Sequence, residues 1–358
     1  MSQVSVNVVA PLGYTGPTLA GNNNYVQIVD ASGDPVFKLS GNNNTAIGKD
    51  SLNSSTTGAG NTAIGDQTLT EITTQIDNVA VGYKSLKLSQ GGGSTAVGSR
   101  ALEAVVTGSQ NDAFGSYSLL LLTSGSLNTA IGSGAGSNLP SGTRNTFVGF
   151  GAGSSFNGPS EGNIVVGNSM GYAYTGNSGN DNTFIGKDAG HGITSGNDNV
   201  IIGKATISYP GPKTGNNNIL IGTNAEKASL SASNSITLGN SSNNILRCAV
   251  TSITSLSDER DKKEIEELPV GLEFVKGLKP VKFVWDERSE EGRHNIKDFG
   301  FIAQDLKASQ EEVEMAETLK LVYEENPEKL EASYGKLIPI LVKAIQELSE
   351  EVKQLKNK

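Results

Sequence analysis

The chain has 358 residues, a net charge of −9 and a hydrophobic fraction of 36%, enough for two or three domains. One cysteine (Cys248) and two histidines exclude an internal disulfide framework and a zinc-type cluster. The absence of a Lys/Arg cluster excludes a nucleic-acid footprint, and the lack of any run of about 18 apolar residues excludes a membrane-spanning helix.

Composition changes abruptly near residue 256. Residues 257–358 hold 41 of the 65 charged side chains, whereas residues 1–256 hold 39 of the 44 glycines. Three segments follow from this step and from the repeat described below: 1–40, 41–256 and 257–358. The start, Met-Ser-Gln-Val-Ser-Val-Asn, lacks the basic and apolar stretches of a signal peptide, so folding in a cytosol is expected. Within 1–40, Tyr25-Val-Gln-Ile-Val and Val36-Phe-Lys-Leu flank Ser32-Gly-Asp-Pro, which predicts a hairpin and an attachment segment.

From residue 41 a phrase of about seventeen residues recurs. Asn-Thr-Ala-Ile-Gly at 44–48 and 61–65 returns as Asn-Thr-Phe-Val-Gly at 145–149 and Asn-Ile-Leu-Ile-Gly at 218–222. Twelve copies end in a glycine, from Gly48 to Gly239, at spacings of 16 to 19. Such self-similarity is the mark of stacked coils. The residue before the glycine is large and apolar in every copy, from Ile47 to Leu238, which predicts that it fills the coil's own core. The residue before that is Ala in the first six copies and later mostly Phe, Val, Ile or Leu. Successive strand residues face opposite sides, so both faces are apolar and a second copy of the chain is expected to cover one of them.

Asparagine opens ten of the twelve phrases, a spacing that allows a ladder of side-chain hydrogen bonds. After each glycine, pairs such as Ser51-Leu52, Ala101-Leu102 and Ala135-Gly136 predict a second short strand per coil. The repeat resembles the stacked-coil heads of trimeric autotransporter adhesins and similar stretches of phage fibres. That resemblance implies a mostly β fold, a trimeric parallel β-roll or solenoid of about twelve coils. An ice-binding solenoid would want flat Thr-x-Thr rows, which the phrase does not show. Cys248, with no histidine near it in sequence, reads as a small buried apolar residue.

At the compositional step the chain reads Thr254-Ser-Leu-Ser257-Asp-Glu-Arg260-Asp-Lys262-Lys-Glu-Ile265. This, with Leu278-Lys-Pro-Val-Lys-Phe-Val-Trp285, Phe299-Gly-Phe-Ile-Ala-Gln-Asp305 and Tyr334-Gly-Lys-Leu-Ile-Pro, resembles the intramolecular chaperone auto-processing domain. That domain closes endosialidase tailspikes and other phage fibres, and occurs in a eukaryotic membrane-bound transcription factor. The resemblance covers 257–358 and implies a small α+β domain that drives trimerisation and then cuts the Leu256–Ser257 bond. Ser257 would be the nucleophile and Lys262 the base. A serine hydroxyl needs a base to become a nucleophile, and a lysine serves once burial leaves it neutral. Asp261 and Lys263 flank the base, and a carboxylate beside it favours the charged form. Asp258 and Arg260 are expected to position the loop. His294 is a further supporting candidate.

The last segment places Ile338, Leu341, Ile345, Leu348, Val352 and Leu355 at a 3-4-3-4-3 spacing, a coiled-coil seam. Lys343, Glu347, Glu350 and Lys353 read as its solvated flank. Together these features predict a virion fibre or spike precursor, assembled in a host cytoplasm without cofactor or metal. Its expected partners are two further copies of itself, other tail proteins through the N-terminus, and a host receptor, a glycan. Two alternatives are a polysaccharide-degrading tailspike enzyme, with Asp181, Asp188 and Asp198 as its acids, and a bacterial surface adhesin. Against the first, aromatic residues for sugar stacking are few. Against the second, no membrane anchor is seen.

Overall fold

The computed structural model describes residues 25–29, 35–40, 42–55, 57–168, 179–191, 193–204, 214–225, 229, 231–240, 242–243, 246–247, 257–287 and 294–357. The chain divides into two compact units, Met1–Asn240 and Ser241–Lys358. Cys248 and Leu256 lie outside the described residues.

The first unit is a β-solenoid. Twelve three-residue strands, from Thr45–Ile47 to Ile236–Leu238, stack in parallel and in register. Two longer strands, Tyr25–Val29 and Pro35–Ser40, form an antiparallel hairpin. The second of these also runs antiparallel to Thr45–Ile47, closing the open edge of the first coil. An unpaired edge invites association with other chains, so the hairpin acts as the cap that a stack needs.

The coil's two strand faces are the reverse of the sequence expectation. The middle residue of the first eleven strands, Ala46, Ala63, Ala80 and their successors to Leu220, is buried, and that of the last, Thr237, is half-buried. The residue before the glycine points outward, as in Ile47, Ile64, Phe114 and Ile131, the last 45% exposed. Interior volume explains the reversal. A seventeen-residue coil is thin, and the same interior must also hold the buried leucines Leu52, Leu69, Leu86, Leu102 and Leu119, so only a small strand residue fits opposite them. Constancy of character along a column therefore marked a continuous outer stripe.

The leucines sit in a turn with left-handed backbone (φ 48 at Leu52, 47 at Leu69, 51 at Leu102), so no second strand forms there. Cross-coil bonds such as Leu52 N–H to the Thr68 carbonyl (3.1 Å) still tie neighbouring turns together. A left-handed leucine costs about 1–2 kcal/mol, and full burial of its side chain returns about 2–3 kcal/mol. Burial wins. In later coils the two columns trade volume: Phe147 replaces the strand alanine, and Gly136 and Gly153 replace the leucine. A Cβ on Gly136 would stand 2.7 Å from the Phe147 ring. Large opposite small keeps the interior filled.

Asparagines form the ladder that their spacing allows. The Asn128 amide is fully used. Its Nδ2 donates to Asn111 Oδ1 (2.9 Å) and to the Gly142 carbonyl (2.8 Å). Its Oδ1 accepts from the backbone N–H (3.0 Å) and from Nδ2 (3.0 Å) of Asn145. The pattern repeats from Asn44 to Asn218, with Ser94 substituting one rung by accepting from Asn111 N–H at 3.1 Å.

Before each ladder asparagine stands another left-handed position. Asn43, Asp77, Asp181, Asp198 and Asn217 occupy it with side chains that tolerate this conformation, but Leu127 (φ 62) does not. Leu127 is exposed, so little packing offsets its strain. Leu127→Asn is expected to stabilise the protein by about 1 kcal/mol, read as a higher unfolding midpoint of the full chain. An unchanged or lower midpoint would contradict this account of the turn.

The second unit is α+β. Val270, Phe274, Leu306, Leu319, Leu321, Val322, Leu337 and Ile340 form its core. The helix Leu272–Gly277 packs on the final helix Leu337–Lys356, and the strands Val281–Asp286 and His294–Gly300 form an antiparallel hairpin. No helix among the described residues is long and apolar enough to cross a membrane.

Candidate functional site

The site is built by one tight turn. Glu259–Asp261 form a single 3₁₀ turn, capped by the Asp258 side chain, which accepts the Arg260 N–H at 2.9 Å. The Arg260 guanidinium grips the same carboxylate twice, Nε to Oδ1 at 3.0 Å and a terminal nitrogen to Oδ2 at 2.6 Å. This forked contact fixes the turn with two parallel bonds. It also holds the Asp258 carboxyl below the ordinary carboxylate range and raises Arg260.

Reversal of the chain across this turn brings Lys262 back over Ser257. Its Nζ donates to Ser257 Oγ at 2.7 Å and to the Ser257 carbonyl oxygen at 3.0 Å. A spacing of five residues thus becomes direct contact, within the range for proton transfer between a base and a nucleophile. Both side chains are exposed in the single chain. Lys263 turns elsewhere, 3.9 Å from Glu264, and Asp261 ends the turn itself. His294 opens the second strand of the hairpin, its Nδ1 2.9 Å from Asp286 Oδ1. Ser257, Asp258, Arg260 and Lys262 therefore share one turn, and His294 is placed on another element.

The aspartates weighed as catalytic acids have a conformational explanation. Asp181, Asp188 and Asp198 each occupy a left-handed turn position (φ 54, 56 and 57), where short polar side chains are favoured.

The final helix has two working faces. Leu337, Ile340 and Ala344 are buried in the core of the unit, while Ile338, Leu341, Ile345, Leu348, Val352 and Leu355 lie exposed in the single chain. Glu347, expected on the solvated flank, instead accepts the Leu272 N–H at 2.7 Å and so joins the two helices. Its partner is a backbone group far along the chain, which charge patterning does not reveal. Tyr334 has a role that its place in the Tyr334-Gly-Lys-Leu stretch does not reveal. Its hydroxyl both accepts from Phe301 N–H (3.1 Å) and donates to the Phe301 carbonyl (3.2 Å). Buried Gln310 likewise accepts Leu321 N–H at 2.9 Å.

Neither the curated proteins nor the solved structures contain a match to the chain. Residues 257–314 match the family model described as chaperone of endosialidase, peptidase S74. The match begins at the serine that Lys262 contacts and runs through the hairpin into the following helix. Residues 257–314, which follow the β-solenoid in sequence, are thus similar to the chaperone-of-endosialidase family.

Proposed function

We propose that the chain is the precursor of a homotrimeric phage fibre or tailspike. Its C-terminal domain gathers and registers three solenoids, then severs the Leu256–Ser257 bond and leaves residues 1–256 as a host-attachment rod. The observation that carries this reading is that each unit bears a continuous apolar surface uncovered in the single chain. On the solenoid it is the outer column that includes Ile47, Ile64, Phe114 and Ile131; on the domain it is the seam from Ile338 to Leu355. Burial of apolar surface drives association, and the family to which residues 257–314 belong supports three copies.

The chemistry of release follows from the contact at Ser257. Lys262 takes the hydroxyl proton as Ser257 Oγ attacks the carbonyl carbon of Leu256, its own neighbour, through a five-membered ring. The C–N bond breaks, an ester forms on Oγ and the freed Ser257 amine takes up the proton. Water then hydrolyses the ester, giving a Leu256 carboxylate and restoring the serine hydroxyl. A lysine acts as base only when withdrawn from water. Covering the exposed turn with neighbouring chains supplies that withdrawal and ties cutting to assembly.

Chaperoning has a physical rationale here. Parallel coils close long loops before they gain contacts, so nucleation is slow. A clamp holding three chains in register lowers that barrier, and its departure leaves a product locked by its unfolding rate. Native mass spectrometry of the expressed full chain is expected to show three copies of residues 1–256. A monomeric solenoid fragment would overturn the trimer.

A further inference from the structure

We propose that Asn157 is a self-modification site, where attack by the Gly158 backbone nitrogen on the side-chain amide yields aspartate and isoaspartate. Asn157 is the one asparagine of the chain that a glycine follows. The reaction asks a backbone nitrogen to reach the side-chain carbonyl carbon of the residue before it, closing a five-membered ring. A following side chain crowds that approach. Glycine, with no Cβ, removes the crowding and widens the backbone angles available.

The solenoid concentrates this chemistry at one place. The coil from Gly149 to Gly167 is eighteen residues long, where the coil before it, from Gly132 to Gly149, is seventeen. In the shorter coil Pro140-Ser141 join the buried Leu139 to Gly142; in the longer one Asn157-Gly158-Pro159 join the buried Phe156 to Ser160, which pairs with Gly142. Both ends of this three-residue arch are anchored. The Phe156 ring packs 5.6 Å from that of Phe147, and the carbonyl of buried Ser160 accepts the Asn145 amide at 2.8 Å. Between the anchors Asn157 and Pro159 are exposed, and Pro159 has no N–H with which to tie the arch to a neighbouring coil.

The ladder asparagines are barred from the same reaction. Asn145 is fully buried, its Nδ2 donates at 3.0 and 2.8 Å, and its Oδ1 accepts from Asn163 at 3.0 and 3.1 Å. The nitrogen that would attack, that of Thr146, donates to the Asn163 carbonyl at 2.7 Å. Ring closure there would break this whole set inside the coil, where water does not replace lost partners.

At Asn157 the Gly158 nitrogen forms a bond to Cγ, its proton passes through water to Nδ2, and ammonia leaves. Water then opens the resulting succinimide. Cleavage of the bond from nitrogen to Cγ gives aspartate. Cleavage of the bond from nitrogen to the Asn157 backbone carbonyl carbon gives isoaspartate, with the chain now running through the side chain. Either product carries one more negative charge and one more dalton, since NH2 is replaced by OH. The arch takes up the longer isoaspartyl path, so the buried anchors on either side keep their places.

The test incubates the full chain in mildly alkaline buffer and follows every asparagine by peptide mass spectrometry. Enzymatic methylation of isoaspartyl carboxylates gives an independent count. Asn157 is expected to react at least tenfold faster than any other asparagine, and Gly158→Ala to slow it at least tenfold. Asn157→Gln, whose ring would need six members, is expected to abolish both the early gain of one dalton and the methylation. A faster asparagine elsewhere, an unchanged rate in Gly158→Ala, or methylation that persists in Asn157→Gln would each overturn the proposal. Scission at Leu256 and the number of copies do not enter the chemistry, so failure of the fibre reading leaves this result standing.

Discussion

Ser257→Ala is expected to leave the chain whole at 37.2 kDa, where the proposed reaction would give the unaltered chain fragments of residues 1–256 and 257–358. The alanine has no oxygen to attack the neighbouring carbonyl, so the loss should reach at least about 10⁴-fold in cleavage rate, as when a nucleophile or its base is removed elsewhere. Lys262→Ala should do the same, since the contact from Nζ to Oγ is lost. Lys262→Arg is the sharper experiment. Arginine keeps the charge and reach, and preserves an anchor to the Ser257 carbonyl, but it cannot give up a proton. If Lys262 only ties the turn together, the arginine variant cuts; if it is the base, that variant stays whole. All three should still be trimers by native mass spectrometry, because the turn belongs to neither apolar surface. Intact-mass measurement after a fixed incubation decides. Scission of Ser257→Ala at the same bond would end the serine mechanism, whatever the oligomeric state.

Asn128→Ala is expected to be the most damaging single change in the solenoid that keeps backbone geometry. It leaves the Asn145 N–H and the Gly142 carbonyl without the partners they have at 3.0 and 2.8 Å, and it takes from Asn111 Oδ1 one of two donors, the backbone N–H of residue 128 remaining at 3.1 Å. Asn111 and Asn145 are fully buried, and each buried group left unpaired costs about 1–3 kcal/mol. The total is about 4 kcal/mol, read as a large fall in unfolding midpoint or as failure to accumulate. Asn128→Ser should cost about half as much, because a hydroxyl at this rung still accepts the next coil's N–H, as Ser94 does for Asn111 at 3.1 Å. Equal losses for alanine and serine would show that side-chain volume, rather than hydrogen bonding, sets the value of the rung.

The asparagine column was legible because a ladder needs only identical residues at a fixed interval, which the sequence displays directly. The orientation of the strand was not. Both faces are apolar, so alternation offers no way to tell inside from outside, and constancy of apolar character along a column fits an outer stripe as well as a core. The decisive clue lay in two columns together: alanine wherever leucine follows four residues after the glycine, phenylalanine at Phe147 and Phe184 where Gly153 and Gly190 stand instead. Only a shared interior imposes that exchange. At the site, the spacing of Ser257 and Lys262 named the pair through its resemblance, and their contact depends on the Asp258–Arg260 fork that closes the turn. Glu347 escaped because its partner, Leu272 N–H, is a backbone group 75 residues away.

The ladder has a consequence for the gene. Each coil presents to the next the same set of donors and acceptors that it received from the one before. Duplicating or deleting about seventeen codons therefore inserts or removes a complete rung and leaves the capping hairpin untouched. Reach is thus an inherited variable, adjustable in steps of roughly 4.8 Å. Any deletion that shifts the asparagine out of line is discarded by the fold itself.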